Sequence, residues 1–315
     1  MSHRLRVGVV GVGSLGQWHA DIYSKLPAAE LVGVYDVNRE RAEEIARRCG
    51  TRAFGSIDEL AASVEAASVV VPSHLHFEIA SALIPRGLHL LMEKPIAETA
   101  EHAEAMVGLA RDKGVILQVG HVERFNPVLR FLEDVLNKPR FIEAIRLAPY
   151  PPPREGLVPR GTEVSVVLDL MIHDLEIILH LVRSPVREIR AVGVPVLSRS
   201  EDIANVRLEF ESGCVANITA SRISQDRMRK IRVFQEDSYL SLDYQNQTGV
   251  LCRRTATGIG RTEVPIEKGE PLPNELASFV DCVLRRDEPV VTGRHASQAL
   301  SLAVAVCQHI RKAPP

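Results

Sequence analysis

Gly11, Gly13 and Gly16 stand as Gly-x-Gly-x-x-Gly directly after the apolar, β-branched run at residues 7–10. Such a run reads as a buried parallel strand. The first glycine permits a tight turn, the second leaves room for a pyrophosphate, and the third lets a helix pack closely on the strand. Free N–H groups and the positive dipole end of that helix suit phosphate. A second apolar run, residues 31–36, ends on Asp36, at the spacing of a carboxylate that accepts from an adenosine ribose 2′-hydroxyl. Asp36 should repel a 2′-phosphate and so favour NAD, although Arg39 and Arg41 leave NADP open.

Two further groups invite chemistry. Lys94 lies at the end of an apolar run, in Glu93-Lys94-Pro95. The carboxyl ends of parallel strands are where open α/β sheets bind ligands. A lysine there, away from water and beside a positively charged ring, can take a proton from a hydroxyl. Strand-end lysines are more often solvated surface charges. Asp169 and His173 lie four residues apart in the apolar stretch 164–182. On a helix they share one face and can orient each other or serve one substrate. They could equally form a core hydrogen bond. A metal is not expected, because no third ligand stands at a recognisable spacing.

The elements that would carry these groups alternate at first. Helices are expected at 17–25, 39–49, 57–61, 76–86 and 99–113, with strands at 31–36, 53–54, 67–71, 88–92 and 115–119 between them. In the first helix Trp18 and Ile22 share one face, which Leu26 can extend; in the second, Ala42, Ile45 and Ala46 should face inward. Alternating βα units imply a Rossmann-type, doubly wound parallel sheet over 1–122. The pattern then changes. After a helix at 126–137 and a strand at 141–147 comes an irregular proline-rich stretch, 150–160, and the long helix 164–182. Strands follow at about 187–196, 203–211, 214–222, 229–236, 239–244 and 249–253, and helices at 274–285 and 294–312 close the chain. The expected second domain, 123–315, is therefore α+β with a mostly antiparallel open sheet; its final helix has the option of packing back on the first domain.

Composition narrows the class. The 315 residues suffice for two domains with full cores. With 38 Lys and Arg against 40 Asp and Glu, no bulk field points to nucleic acid or an anionic membrane. No apolar stretch is long enough to span a bilayer. The five cysteines are scattered and odd in number, which fits a reducing cytoplasm rather than a disulfide framework.

Taken together, Gly11-x-Gly13-x-x-Gly16, Glu93-Lys94-Pro95 and Asp169-x-x-x-His173 resemble the Gfo/Idh/MocA family of oxidoreductases. Val71-Pro72-Ser73-x-x-His76 looks like the family's Thr-Pro-Asn-x-x-His, and Arg124-Phe125-Asn126-Pro127 and the two final helices extend the likeness over nearly the whole chain. The resemblance implies NAD-dependent oxidation of a sugar hydroxyl. Lys94, His173 and Asp169 would be catalytic. Gly11, Gly13, Ser14, Leu15 and Gly16, with Asp36, Pro72, Ser73, His76, Glu93 and Lys94, would hold NAD. His121, Arg124, Asn126, Asp169 and His173 would meet the substrate, while Arg124 could instead form a salt bridge between domains. The runs at 119–127 and 167–174 resemble a branch that oxidises the 3-hydroxyl of UDP-N-acetylglucosamine to a keto sugar. Met171 departs from the family, which has Gly in Asp-x-Gly-x-His, and Arg160-Gly161-Thr162-Glu163-Val164 lacks the usual glycine-rich approach. The rivals are a free-sugar or inositol-type polyol dehydrogenase and a non-catalytic NAD-dependent sensor. A homo-oligomer, dimer or tetramer, is expected from the broad sheet.

Overall fold

The computed structural model describes residues 3–153, 159 and 161–312; part of the proline-rich stretch 150–160 lies outside the described residues. The chain divides into two compact units, one of Met1–Val122 with Glu270–Ser297, the other of Glu123–Gly269 with Gln298–Pro315.

The first unit holds a six-stranded parallel sheet in the order β3-β2-β1-β4-β5-β6. Its strands are β1 (Leu5–Val10), β2 (Ala29–Tyr35), β3 (Arg52–Ala53), β4 (Ala66–Val69), β5 (His89–Glu93) and β6 (Leu117–Gly120). The helices between them are α1 (Gly16–Tyr23), α2 (Arg39–Cys49), α3 (Ile57–Ala61), α4 (His76–Leu83) and α5 (Ala100–Lys113). This is the expected Rossmann sheet, with the strand order reversing between β1 and β4. Its helix limits follow local chemistry. Asn38, Ser56 and Thr99 accept from the amides of Arg41, Glu59 and His102 and so start α2, α3 and α5. Gly50 and Gly114, with φ of 65° and 62°, stop α2 and α5.

One residue departs from its expected face. Trp18 is 53% exposed, whereas Ile22 and Leu26 pack partly buried against the core, and α1 fully buries His19, Ala20 and Tyr23. Tyr23 stays buried because its hydroxyl pairs with Ser68 at 2.9 Å. The second departure is larger. The helix α8 (Pro271–Arg285) places Leu276, Phe279, Val280 and Val283 in one core with Leu5, Val7, Val9 and Ala20. The first unit therefore takes the late segment Glu270–Ser297, against the expectation of a second domain running unbroken over 123–315.

The second unit is built on eight strands in the order β14-β13-β12-β11-β7-β10-β9-β8. They are β7 (Phe141–Leu147), β8 (Val186–Val194), β9 (Ile203–Phe210), β10 (Val215–Ser221), β11 (Met228–Phe234), β12 (Ser238–Asp243), β13 (Thr248–Thr255) and β14 (Gly258–Glu263). Only β7 and β10 run parallel; the other neighbours are antiparallel, as expected. Alternate residues are buried, Ile142 and Ala144 on β7 and Ala216, Ile218 and Ala220 on β10, with α7 (Ile172–Val182) packed on β7 and α6 (Pro127–Val135) on β12. The final helix is α9 (Gly293–Lys312). Strand β14 was not foreseen: its residues are exposed or half-exposed, so no apolar alternation marks it.

Candidate functional site

In the first unit the loop after β1 is held by two kinds of contact. Gly11 has φ +85°, and a Cβ there would lie 2.5 Å from the Val70 carbonyl oxygen; a Cβ on Gly16 would strike the Gly11 carbonyl oxygen. These two glycines are needed for packing. A Cβ on Gly13 would meet no atom within 4 Å. Gly13 is thus dispensable for the fold and suited to close approach by a ligand. Ser14 lies in the turn, and Leu15, at the start of α1, has no side-chain oxygen to cap it. Asp36 Oδ2 accepts from the Val12 amide at 2.7 Å and Oδ1 from the Asn38 amide at 2.9 Å, which fixes the carboxylate beside the glycine loop. Arg39 pairs with Glu43. Arg41 reaches Glu44, the Gln17 side chain and the Val12 carbonyl. Both arginines are thus engaged locally. An open approach at Gly13, the start of α1 directly after the glycine loop and an oriented carboxylate at the end of β2 fit NAD.

The exits of β4 and β5 are tied by one imidazole. His76, 1% exposed, places Nδ1 at 2.9 Å from the Pro95 carbonyl oxygen and Nε2 at 3.0 Å from that of Val71. Burial keeps this ring below the ordinary histidine range despite the two carbonyls, so the neutral ring donates to one of them at a time and packs against the other. Its observed role is to hold the Lys94-Pro95 backbone, whose peptide is cis, against the loop that carries Pro72 and Ser73. Glu93 Oε2 accepts from the Lys94 amide at 3.1 Å, and Oε1 lies 3.4 Å from Nε2 of the buried His19. Burial raises the Glu93 carboxyl, but His19 and the Lys94 charge outweigh it and hold Glu93 ionised. Nothing in the sequence reading had singled out His19.

In the second unit Asp169 falls within a π-helical turn, Val167–Met171, that runs into α7; His173 lies in the first turn of α7. Such turns recur at functional sites because they re-aim side chains. Both residues are partly exposed, whereas Val166, Val167, Ile177 and Ile178 are buried and Leu170 is partly buried. The same helix buries two carboxylates that the sequence reading did not weigh. Asp174 binds Arg146 through two bonds of 2.7 and 3.0 Å, and Arg146 also reaches Glu123 at 3.0 Å. Glu176 accepts from Arg124 at 2.7 Å. Arg124 Nη2 also lies 3.1 Å from His180 Nε2. Asn126 caps α6 through the Val128 amide and donates to the Tyr244 carbonyl and to Glu123. Arg124 and Asn126 are thus bonded to groups of their own unit. His121 follows β6 in the first unit and is buried.

Comparison with known proteins agrees with this fold. Residues 5–121 match the GFO_IDH_MocA family, described as an oxidoreductase family with an NAD-binding Rossmann fold, and residues 133–241 match the GFO/IDH/MocA C-terminal domain. A UDP-N-acetylglucosamine 3-dehydrogenase from Acidithiobacillus ferrooxidans is 36% identical over 314 residues, covering 96% of this chain and 97% of that one. A solved structure of that dehydrogenase superposes with a TM-score of 0.92 at 35% identity, covering 98% of both chains. A scyllo-inositol 2-dehydrogenase (NAD(+)) from Bacillus subtilis is 27% identical, covering 100% of this chain and 96% of its own. With two family matches in succession and a relative similar from end to end, the chain belongs to the Gfo/Idh/MocA family of NAD-binding oxidoreductases.

Proposed function

We propose that this protein oxidises the 3-hydroxyl of a UDP-sugar, UDP-N-acetylglucosamine in the first instance, to a 3-keto sugar. The observation that carries this reading is the full-length similarity to a dehydrogenase named for that substrate. It is supported by the presence of Lys94, Asp169 and His173 in this chain. NAD, when bound at Gly11, Gly13, Gly16 and Asp36, supplies the hydride acceptor. The protein's own task is proton movement and alignment. Lys94 takes the hydroxyl proton as the C–H hydride leaves. His173 binds the sugar and shares the proton, and Asp169 orients that imidazole or accepts from a neighbouring hydroxyl. His76 and Glu93 position the Lys94 backbone rather than touching substrate.

The experiment is NAD reduction, followed by nicotinamide absorbance, across UDP-N-acetylglucosamine, other UDP-sugars, inositols and free glucose. UDP-N-acetylglucosamine should give the highest kcat/KM. An inositol as best substrate would reassign the chain to the polyol dehydrogenases, and no turnover with any of them would favour a sensor. Lys94→Met should lower kcat by about two to four orders of magnitude with NAD affinity unchanged. We further propose a cytoplasmic homo-oligomer. All five cysteines are free thiols. Across β7, β11 and β12, on the half-exposed sheet face, Phe141 meets Phe234 edge to face and Phe234 stacks on Tyr239, with ring centroids 5.7 and 5.0 Å apart. A monomer mass by light scattering would refute the oligomer.

A further inference from the structure

The strongest unassigned construction lies behind Asp169. Arg222, directly after β10, is 2% exposed, yet each of its five N–H donors faces an acceptor. Nε donates to Asp202 Oδ1 at 2.8 Å. Nη2 donates to the hydroxyls of Ser198 at 2.9 Å and Ser200 at 3.0 Å. Nη1 donates to the backbone carbonyls of Gly161 and, at 2.8 Å, Val164. Asp202, 0% exposed, completes the charge balance, and its Oδ2 accepts from the amides of Val196, Leu197 and Ser198 at 2.6–2.8 Å. Ser200 Oγ adds a second bond to the Val164 carbonyl, also at 2.8 Å, and the Val166 amide donates to the Glu201 carbonyl at 2.9 Å. The loop at 196–202 and the guanidinium together grip the segment 161–166 by its backbone.

That segment supports a functional side chain. Gly161 has φ +82°, and a Cβ built on it would strike Asp169 Oδ2 and lie 2.8 Å from its carboxyl carbon. The Asp169 carboxylate therefore rests against the bare Cα of Gly161, while the carbonyl of the same residue is held by Arg222. A buried ion pair whose donors are all filled by groups of its own chain suits a device that fixes backbone position.

We infer that the Arg222–Asp202 pair is a positioning device for Asp169, acting through the backbone of Gly161. The inference rests on the reading of Asp169 as a substrate-side group. Lysine cannot replace the arginine, because one ammonium lacks the planar fork that serves five acceptors at once. No residue with a Cβ can replace Gly161 without moving the carboxylate.

The test uses the full-length protein with NAD and UDP-N-acetylglucosamine, together with crystal structures of the variants. Gly161→Ala and Arg222→Lys should each lower kcat about 10- to 100-fold, the scale of an ångström-level misplacement. NAD affinity should stay within about twofold. In the Asp169→Ala background, Gly161→Ala should cost no more than about a further twofold, because its effect passes through a group already removed. The Gly161→Ala structure should show the Asp169 carboxylate displaced. Full activity in Gly161→Ala, an equal loss in both backgrounds, or an unmoved carboxylate would overturn the inference. If Arg222→Lys does not fold, Gly161→Ala decides alone. If Asp169→Ala is itself fully active, the reading of Asp169 fails, and the variant structures still decide whether Gly161 sets the carboxylate's position.

Discussion

Asp36 shows how much a single side chain can state about cofactor choice. Its carboxylate is oriented by the amides of Val12 and Asn38, and the arginines that might have welcomed a 2′-phosphate are bonded to Glu43, Glu44, Gln17 and the Val12 carbonyl. A phosphate approaching that carboxylate would meet like charge, about 1–4 kcal/mol at contact distance in a partly solvated site. NAD should therefore bind at least about tenfold more tightly than NADP, and Asp36→Ala should shrink that gap; equal affinities in a cofactor titration would contradict it. Residues of this kind were readable because their chemistry depends on nearby sequence. Gly11, Gly13, Gly16 and Asp36 are one βαβ unit. The groups that position them were not readable in the same way. Arg222 meets Gly161 from 61 residues away, and Arg124 meets Glu176 from 52. His19 is buried beside Glu93, an ionised neighbour that apolar periodicity cannot forecast.

Elements were legible wherever a stop signal and a period agreed. Helix α2 spans Arg39–Cys49 and stops at Gly50 as expected, and β7 and β9 alternate buried and half-buried or exposed residues along their length. The start of the 164–182 helix was less legible: a π-helical turn is set by packing and by Ser165, whose hydroxyl accepts from the Val167 amide, not by local propensity. The three glycines of the β1–α1 turn separate by the space around them. Gly13→Ala should fold with an unchanged Tm and lose about 10- to 100-fold in NAD affinity, since a methyl there meets only an incoming ligand. Gly16→Ala should lower Tm as well, because its methyl meets the Gly11 carbonyl. Equal Tm values for the two variants would undo that distinction. At the opposite end of the sheet, His89 opens β5 and accepts from the Ile116 amide at 2.8 Å, with Arg286 Nη1 3.1 Å from its other nitrogen. Burial, then the Arg286 charge, push this imidazole down to about 4. The unfolded chain protonates it near 6.5, the folded chain only near 4. Its contribution to stability is therefore full above about pH 6.5 and is lost as pH falls toward 4. The Tm difference between wild type and His89→Asn should shift against wild type across that window, and a difference constant with pH would refute the assignment.

The whole molecule is not two consecutive halves of sequence. The break after Val122 is a change of pattern that the chain announces, from βα alternation to successive strands. The return of Glu270–Ser297 to the first unit is not announced, because an amphipathic helix states only that it has a partner, not which one. The size of that partnership can be estimated from burial. Leu276, Phe279 and Val280 are 0% exposed and Val283 5%, against β1 and α1 side chains that include Val7, Val9 and Ala20. At about 1.5–3 kcal/mol for each large apolar side chain, the four contribute roughly 6–12 kcal/mol. That is comparable with the entire stability of an ordinary domain, about 5–15 kcal/mol. A fragment ending at residue 122 keeps the glycine loop, Asp36 and Lys94, but exposes the surface that α8 covers. It should fail to unfold cooperatively and should not bind NAD, while the same fragment joined through a flexible linker to residues 270–297 should recover both. In the intact protein Phe279→Ala should cost about 3–5 kcal/mol and lower Tm without changing KM for the sugar. A cooperative, NAD-binding 1–122 fragment would show that α8 is a passenger on the first unit rather than part of its core.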